Sequence, residues 1–118
     1  MGRRVVFYRA ASGECPVEDF LDGLSSSVAR KVTWTLRLIE DEVIVPARYF
    51  KKLSGTEQIW ECRVDHGSNT YRIFAFMAPD NTVVLTHGLI KKSQKIPRTE
   101  IRRAEAFRSD YLSRRQHE

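Results

Sequence analysis

An alternation of apolar and charged residues that begins near Ile59 constrains the fold of this chain more than any other feature. Every second residue of 60–65 is apolar, which is the period of a half-buried strand. Residues 71–77 are apolar on nearly both sides, as in a strand at the centre of a sheet, and residues 82–90 are rich in β-branched side chains. Short turn sequences separate these segments, so the pattern predicts a three-stranded antiparallel meander.

The residues before the meander predict one strand and two helices. The apolar stretch at 4–9 is typical of a strand, and Pro16 suits the first turn of a short helix that extends to about residue 24. The serines at 25–27 supply helix-capping hydroxyls. After them, apolar residues recur every three or four positions until Pro46 ends a second helix.

A last helix follows the meander. Pro97 opens it, and an apolar face is formed by Ile101, Ala104, Phe107 and Tyr111. The expected fold is therefore a small α+β domain covering residues 1–118, with an N-terminal strand, two helices, the meander and a C-terminal helix. We expect all the helices to pack on one face of the sheet.

The excess of positive charge lies near the C-terminus of the chain and bears on the kind of partner the protein binds. The chain has 118 residues, with 20 Lys and Arg against 15 Asp and Glu, a net charge of +5. Residues 91–118 contain nine basic and four acidic residues, and the rest of the chain is balanced. A basic end of this kind indicates either a polyanionic partner or a solvated helix face.

Composition also bears on the compartment. No stretch approaches the roughly 20 apolar residues of a membrane-spanning helix, and the apolar part of the N-terminus is too short for a secretory signal. The two cysteines, Cys15 and Cys62, are too few for a disulfide framework. We expect a reduced, cytoplasmic protein that does not bind a membrane.

Sequence motifs for catalysis by a metal or cofactor are absent. The chain has no glycine-rich phosphate loop, no zinc-protease motif and no nucleophile elbow, and its three histidines lack the spacing of metal ligands. We therefore expect no metal and no cofactor. Glu57 and Glu61 are available as an acid and a base, but their spacing does not single them out.

The conspicuous polar residues are cationic and lie along the meander. They are Lys51, Lys52, Arg63, Arg72, His87, Lys91 and Lys92. Strand pairing brings residues that are distant in sequence together, so these groups could line one concave face that suits a phosphodiester. The alternatives are a surface ion pair for Arg63, a hydrogen-bonded strand residue for His87 and solvated loops for the lysines. The strand aromatics, among them Phe74 and Phe76, are either core residues or base-stacking platforms.

Several segments carry a family resemblance. They are Trp60-Glu61-Cys62-Arg63-Val64, Tyr71-Arg72-Ile73-Phe74, His87-Gly88-Leu89-Ile90-Lys91-Lys92, and Pro97 with Glu100-Ile101-Arg102-Arg103-Ala104. In this order the segments resemble the phage-derived, HigB-like branch of the RelE/ParE toxin superfamily, and the similarity extends over residues 5–112.

The resemblance implies a toxin of a type II toxin–antitoxin system. Many relatives enter the ribosomal A site and cut mRNA there without a metal, which makes the chain an expected endoribonuclease. The implied partners are a cognate antitoxin, often of the helix-turn-helix type, the ribosome with its mRNA, and operator DNA bound by the toxin–antitoxin pair. Two alternatives share the fold: a ParE-like inhibitor of DNA gyrase, and a degenerate toxin that only binds its antitoxin and operator.

The resemblance also implies catalytic residues. Arg63 matches the arginine that stabilises the transition state in RelE-like nucleases, and Lys91 belongs to a basic pair after the third strand. Lys51 or Lys52 falls where a loop lysine contributes to catalysis in some relatives, and we expect Lys52 to have this role. His87 is an alternative acid or base. RelE-type nucleases often have a tyrosine after the basic pair, but residues 93–96 contain none, which leaves the degenerate alternative open.

A second set of residues is implied to bind RNA. It comprises Lys51, Arg72, Lys92 and Lys95. In the family, Arg72 matches the arginine of a Tyr-Arg element that positions the substrate or the strand.

Overall fold

The computed structural model of the protein describes residues 2–56, 58–91 and 95–116. In this part of the chain the elements are β1 (Arg4–Phe7), α1 (Pro16–Asp22), α2 (Ser26–Asp41), β2 (Phe50–Lys52), β3 (Trp60–His66), β4 (Asn69–Ala78), β5 (Thr82–Lys91) and α3 (Arg98–Gln116). The α+β class, the order of the predicted elements and the antiparallel meander of β3, β4 and β5 are confirmed.

The sheet is wider than the predicted meander. Its strand order is β1-β5-β4-β3-β2, with β1 parallel to β5 and the other pairs antiparallel. β2 was not predicted, because three residues, two of them lysines, are too few to show an alternation. β4 lies at the centre of the sheet, as its nearly continuous apolar sequence predicted.

The helices pack on both faces of the sheet, so the prediction that they share one face was wrong. Ile73 and Ala75 of β4 belong to the core that α1 and α2 cover, whereas Phe74 and Phe76 belong to the clusters beneath α3. The physical reason is that β4 is apolar on both sides, and each apolar face needs a covering layer. We call the side of the sheet beneath α3 the α3 face.

A β-bulge in β5 decides which residues reach the α3 face. Phe74 pairs with His87, but Ala75 pairs with Leu85, which leaves Thr86 as the extra residue. The hydroxyl of Thr86 donates a hydrogen bond to the carbonyl of Phe74 at 3.2 Å. Because side chains alternate along a strand, the extra residue turns His87 and every second residue after it, as far as Lys91, toward α3.

α1 is held against β5 through a glycine. A Cβ atom on Gly88 would lie 2.4 Å from the Phe20 ring of α1, so only glycine lets the ring lie directly on the strand. α2 packs beside it with its predicted stripe of buried residues, which includes Val28 and Val32. Ser25 caps α2, since its hydroxyl accepts a hydrogen bond from the Val28 amide.

We expect Gly88→Ala to lower the free energy of unfolding by about 1–3 kcal/mol, because the added methyl group displaces Phe20. Gly23→Ala is the matched control. The atoms nearest a Cβ at Gly23 lie 3.6 Å away, so we expect a change within about 0.5 kcal/mol. Denaturant titration of both variants measures the difference, and equal stabilities would contradict the proposed contact.

Candidate functional site

Strand register places most of the predicted cationic residues on the α3 face. Arg63 lies directly opposite Arg72, and Lys51 lies opposite Glu61. Lys91 is on the same face because of the bulge, one side-chain row beyond Arg72 and opposite Thr70. The sheet therefore brings residues from four segments of the sequence to one side of the molecule.

A buried ion pair forms the centre of this face. Arg72 Nη1 donates a hydrogen bond to Glu61 Oε2 at 2.6 Å, and the two side chains are 3% and 0% exposed. The two residues are diagonal neighbours on β3 and β4, since Arg72 pairs in register with Arg63. A charge in a central strand usually has a partner, and the structure identifies the partner of Arg72 as Glu61.

A cavity of about 420 Å³ opens beside the ion pair. Its cationic lining consists of Lys51, Lys52 and Arg72, and Glu61 contributes the carboxylate. Both lysines are exposed, whereas Arg72 is held rigidly by its partner. The cavity thus combines one buried, ion-paired guanidinium with two exposed ammonium groups.

A second cleft, of about 430 Å³, continues from this cavity along α3. The two share the lining residues Ser54, Ile96 and Ile101. The second cleft adds Lys95, Arg98, Arg102 and the carboxylate of Glu105. We call the two together the basic groove. Six cationic side chains line it against two carboxylates, so its surface favours an extended polyanion.

Sequence reasoning missed Arg98 and Arg102 as groove residues. Their signal was present in the spacing, since residues four apart lie on one face of a helix. What the sequence lacked was the position of the loop at 53–56, which forms the opposite wall of the cleft.

Arg63 lies next to the basic groove but does not line it. Its side chain, 21% exposed, pairs with Asp65 through an Nε–Oδ1 contact of 3.3 Å. It lines a separate cleft together with Lys31, Arg48 and Tyr49. The surface pairing that the sequence left open for Arg63 is therefore present.

The pKa of Asp65 reflects this pairing. Burial raises it, but the hydrogen bond from Thr70 and the charge of Arg63 outweigh that effect and hold the pKa below its usual range. Asp65 thus stays ionised and available to Arg63 at neutral pH.

His87 is buried beneath α3 and lies outside the basic groove. Its Nε2 is 3.2 Å from a carboxylate oxygen of Glu100, and its Nδ1 is 3.1 Å from the Thr86 hydroxyl. Burial and the charge of Arg103 lower its pKa to about 4, despite the opposing effect of Glu100. The imidazole is therefore neutral at pH 7 and is arranged as a hydrogen-bonded core residue.

The remaining candidate residues are placed as follows. Lys92 and Glu57 lie outside the described residues. Phe74 and Phe76 are fully buried, so of their two interpretations the structure supports the core. Burial raises the pKa of the Cys62 thiol to about 12, which leaves no thiolate for nucleophilic chemistry.

Two kinds of feature are absent from the residues that the structure describes. No group of three or more His, Cys, Asp or Glu side chains there is arranged to hold a metal ion. Among the helices of the same residues, none has the length and apolar character that crossing a membrane requires.

Comparison with known proteins places this fold in a class. The archaeal RelE–RelB complex from Pyrococcus horikoshii OT3 contains a chain that matches with a TM-score of 0.50 and 18% sequence identity, over 80% of this chain and 100% of that chain. Curated proteins gave no match. The fold is thus that of RelE-like toxins.

A family profile carries the assignment further. The family described as "Phage derived protein Gp49-like (DUF891)" matches residues 19–108, most of the chain. The protein belongs to this Gp49-like family, a family of RelE/HigB-like toxins of toxin–antitoxin systems. The resemblance noted in the sequence is confirmed.

We expect Arg72→Ala to lower the free energy of unfolding by about 3–5 kcal/mol, because it leaves the buried Glu61 carboxylate without its partner. Replacing both residues by methionine should restore most of the loss, since an apolar pair carries no buried charge. The exposed pair of Arg9 with Glu18 is the control, and Arg9→Ala should cost under about 1 kcal/mol. Denaturant titrations measure all three, and a similar loss for Arg9→Ala and Arg72→Ala would contradict the importance of burial.

His87 should make stability depend on pH between neutrality and pH 5. Its pKa in the folded protein, about 4, is below the ordinary 6.5, so the unfolded chain takes up a proton first as the pH falls. Its contribution is therefore complete above about pH 6.5 and is lost as the pH falls toward 4. We expect His87→Gln to flatten the change in unfolding free energy between pH 7 and 5. His66→Gln, at the exposed end of β3, should leave it unchanged, and an unaltered slope in His87→Gln would disprove the assignment.

Proposed function

We propose that this protein is a ribosome-dependent mRNA endonuclease toxin that cleaves RNA without a metal cofactor. The observation that carries the proposal is the basic groove, in which the cavity at Lys51 and Lys52 continues into the cleft at Lys95, Arg98 and Arg102. Arginine binds phosphate through two parallel hydrogen bonds, and lysine contributes a point charge. An extended RNA strand fits a groove with repeated cationic groups better than any small anion does.

The chemistry needs no external nucleophile, because RNA carries its own. The 2′-hydroxyl loses its proton and attacks the adjacent phosphorus, the O2′–P bond forms, and the P–O5′ bond breaks as the 5′ oxygen takes up a proton. The products are a 2′,3′-cyclic phosphate and a 5′-hydroxyl end. In this proposal Lys52 acts in proton transfer, and Lys51, Arg72, Lys92 and Lys95 bind the RNA backbone.

Arg63 stabilises the charge that develops on the phosphorane. It lies directly across the strand pair from Arg72, one strand away from the residue at the floor of the groove. Its ion pair with Asp65, whose side chain is 61% exposed, is of the kind that contributes little free energy. In this proposal Arg63 exchanges Asp65 for the scissile phosphate, and Lys91 adds positive charge on the same face.

His87 has a structural role in this proposal. The neutral imidazole lies beneath α3 and packs against Phe74 and against Phe107 of that helix. It thereby positions the helix that supplies Arg98 and Arg102 to the groove, and it does not exchange protons with the substrate.

The proposed partners follow from the class. The archaeal structure is a complex of RelE with RelB, which supports a cognate antitoxin for this chain, and we propose one of the helix-turn-helix type. The pair would bind its operator DNA, and the free toxin would act on mRNA at the ribosome in the cytoplasm.

Expression of the chain without an antitoxin tests the proposal. We expect growth arrest and cleaved mRNA with 2′,3′-cyclic or 3′-phosphate ends, detected by end-specific ligation. Arg63→Ala should reduce cleavage about 10²–10³-fold, because it removes one group that stabilises the transition state. Arg37→Ala, which removes an exposed arginine from α2, should cleave normally.

The outcomes separate the alternatives. Growth arrest with intact mRNA and induced DNA damage would overturn the nuclease proposal in favour of a gyrase inhibitor. Unimpaired growth would indicate a degenerate toxin. Undiminished cleavage by Arg63→Ala would reject only the role proposed for Arg63 and would leave the nuclease proposal standing.

A further inference from the structure

Only one of the two carboxylate oxygens of Glu61 has a hydrogen-bond donor among the described residues. Its side chain is fully buried, and Arg72 bonds one carboxylate oxygen, Oε2. The other oxygen, Oε1, is also buried, and no residue that the structure describes donates a hydrogen bond to it. Glu61 lines the cavity of the basic groove, so this buried acceptor without a donor belongs to a residue of the candidate RNA site.

A buried carboxylate oxygen without a donor is energetically costly. An ionised carboxylate only accepts hydrogen bonds, and leaving one acceptor unmade costs about 1–3 kcal/mol, or more for a charged group. The surroundings nevertheless keep this oxygen in place. Arg72 fixes the carboxylate from one side, and β3 is paired with a strand on each flank. A ligand that brings a donor into the cavity would recover this free energy.

We propose that Glu61 Oε1 accepts a hydrogen bond from a ribose 2′-hydroxyl, and that this contact makes the basic groove select RNA over DNA. The inference rests on the proposed function and adds the chemical group by which the substrate is recognised.

The chemistry of the cavity favours this group. Lys51, Lys52 and Arg72 attract phosphate, but Glu61 repels it, so the carboxylate needs a neutral donor close to a phosphate. In a polynucleotide the 2′-hydroxyl is such a donor, because it lies beside the 3′-phosphate of the same nucleotide. It is also the group that lets a protein distinguish RNA from DNA at a given position. DNA would place a C–H group against the same oxygen and leave it unsatisfied.

Equilibrium binding of short oligonucleotides tests the proposal directly. Three ligands of one base sequence are compared by fluorescence anisotropy at low salt: all-ribose, 2′-deoxy and 2′-fluoro, the last of which keeps a ribose-like pucker without a donor. Their integrity is checked by gel after each titration. We expect the unaltered protein to bind the ribose strand about tenfold more tightly than the other two, as a charge-assisted hydrogen bond predicts.

Glu61→Gln should reduce this preference to about threefold or less, because a neutral amide replaces the charged acceptor. Glu105→Gln is the matched control, since it removes an exposed carboxylate from the adjoining cleft. It should strengthen binding of all three ligands and leave the preference at about tenfold. If Glu61→Gln does not fold, the double variant Glu61→Met with Arg72→Met removes the buried charges together and should show no preference.

The results separate this inference from the proposed function. If the unaltered protein binds all three strands equally, or if Glu61→Gln keeps the full preference, the role of Glu61 is wrong and the basic groove remains an RNA site. If no oligonucleotide binds even at low salt, the proposed function itself is overturned.

Discussion

The ion pair between Glu61 and Arg72 is the constraint on which the geometry of the site depends. Buried ion pairs contribute little net stability compared with apolar residues of the same size, so the pair is not the main source of stability. What it does is fix positions. It holds one guanidinium at the floor of the groove without the entropy cost that a free side chain would pay on binding a phosphate, and the exposed lysines of β2 lie beside it.

The geometry of the site depends, second, on the bulge at Thr86. The sequence alone could not predict this bulge. The sequence predicted all three strands of the meander because each has a local pattern: alternation in β3, a nearly continuous apolar sequence in β4 and β-branched residues in β5. Without the bulge, His87 and Lys91 would lie on the face covered by α1 and α2. Their orientation depends on how two strands pair, and a single extra residue reverses it.

The same distinction applies to the site. A charge at position 72 in an apolar strand indicated a partner, but the identity of Glu61 required the register of β3 against β4. The sequence predicted Arg63 as a cationic strand residue and left open whether it pairs with an acidic neighbour or faces a ligand. In the structure it pairs with Asp65 and lines a neighbouring cleft. β2 escaped detection because a strand of three residues takes its definition from the strand beside it.

The structure shows which basic residues of the C-terminal segment are paired with carboxylates, which composition alone does not. α3 has 19 residues, which at 1.5 Å per residue extends over about 28 Å and carries arginines at both ends. At the far end carboxylates pair with them: Arg114 with Asp110 at 2.8 Å, and Arg115 with Asp80 at 3.8 Å.

The arginines at the groove end of α3 are not paired in this way by any described residue. Within the described part of the chain, no carboxylate forms an ion pair with Arg98 or Arg102. The positive charge of Arg98 and Arg102 at the groove end is therefore not neutralised by an ion pair within the described residues. Since an uncompensated charge steers association while a paired one does little, a polyanion approaching this molecule is drawn to the side where Arg72 is held in place.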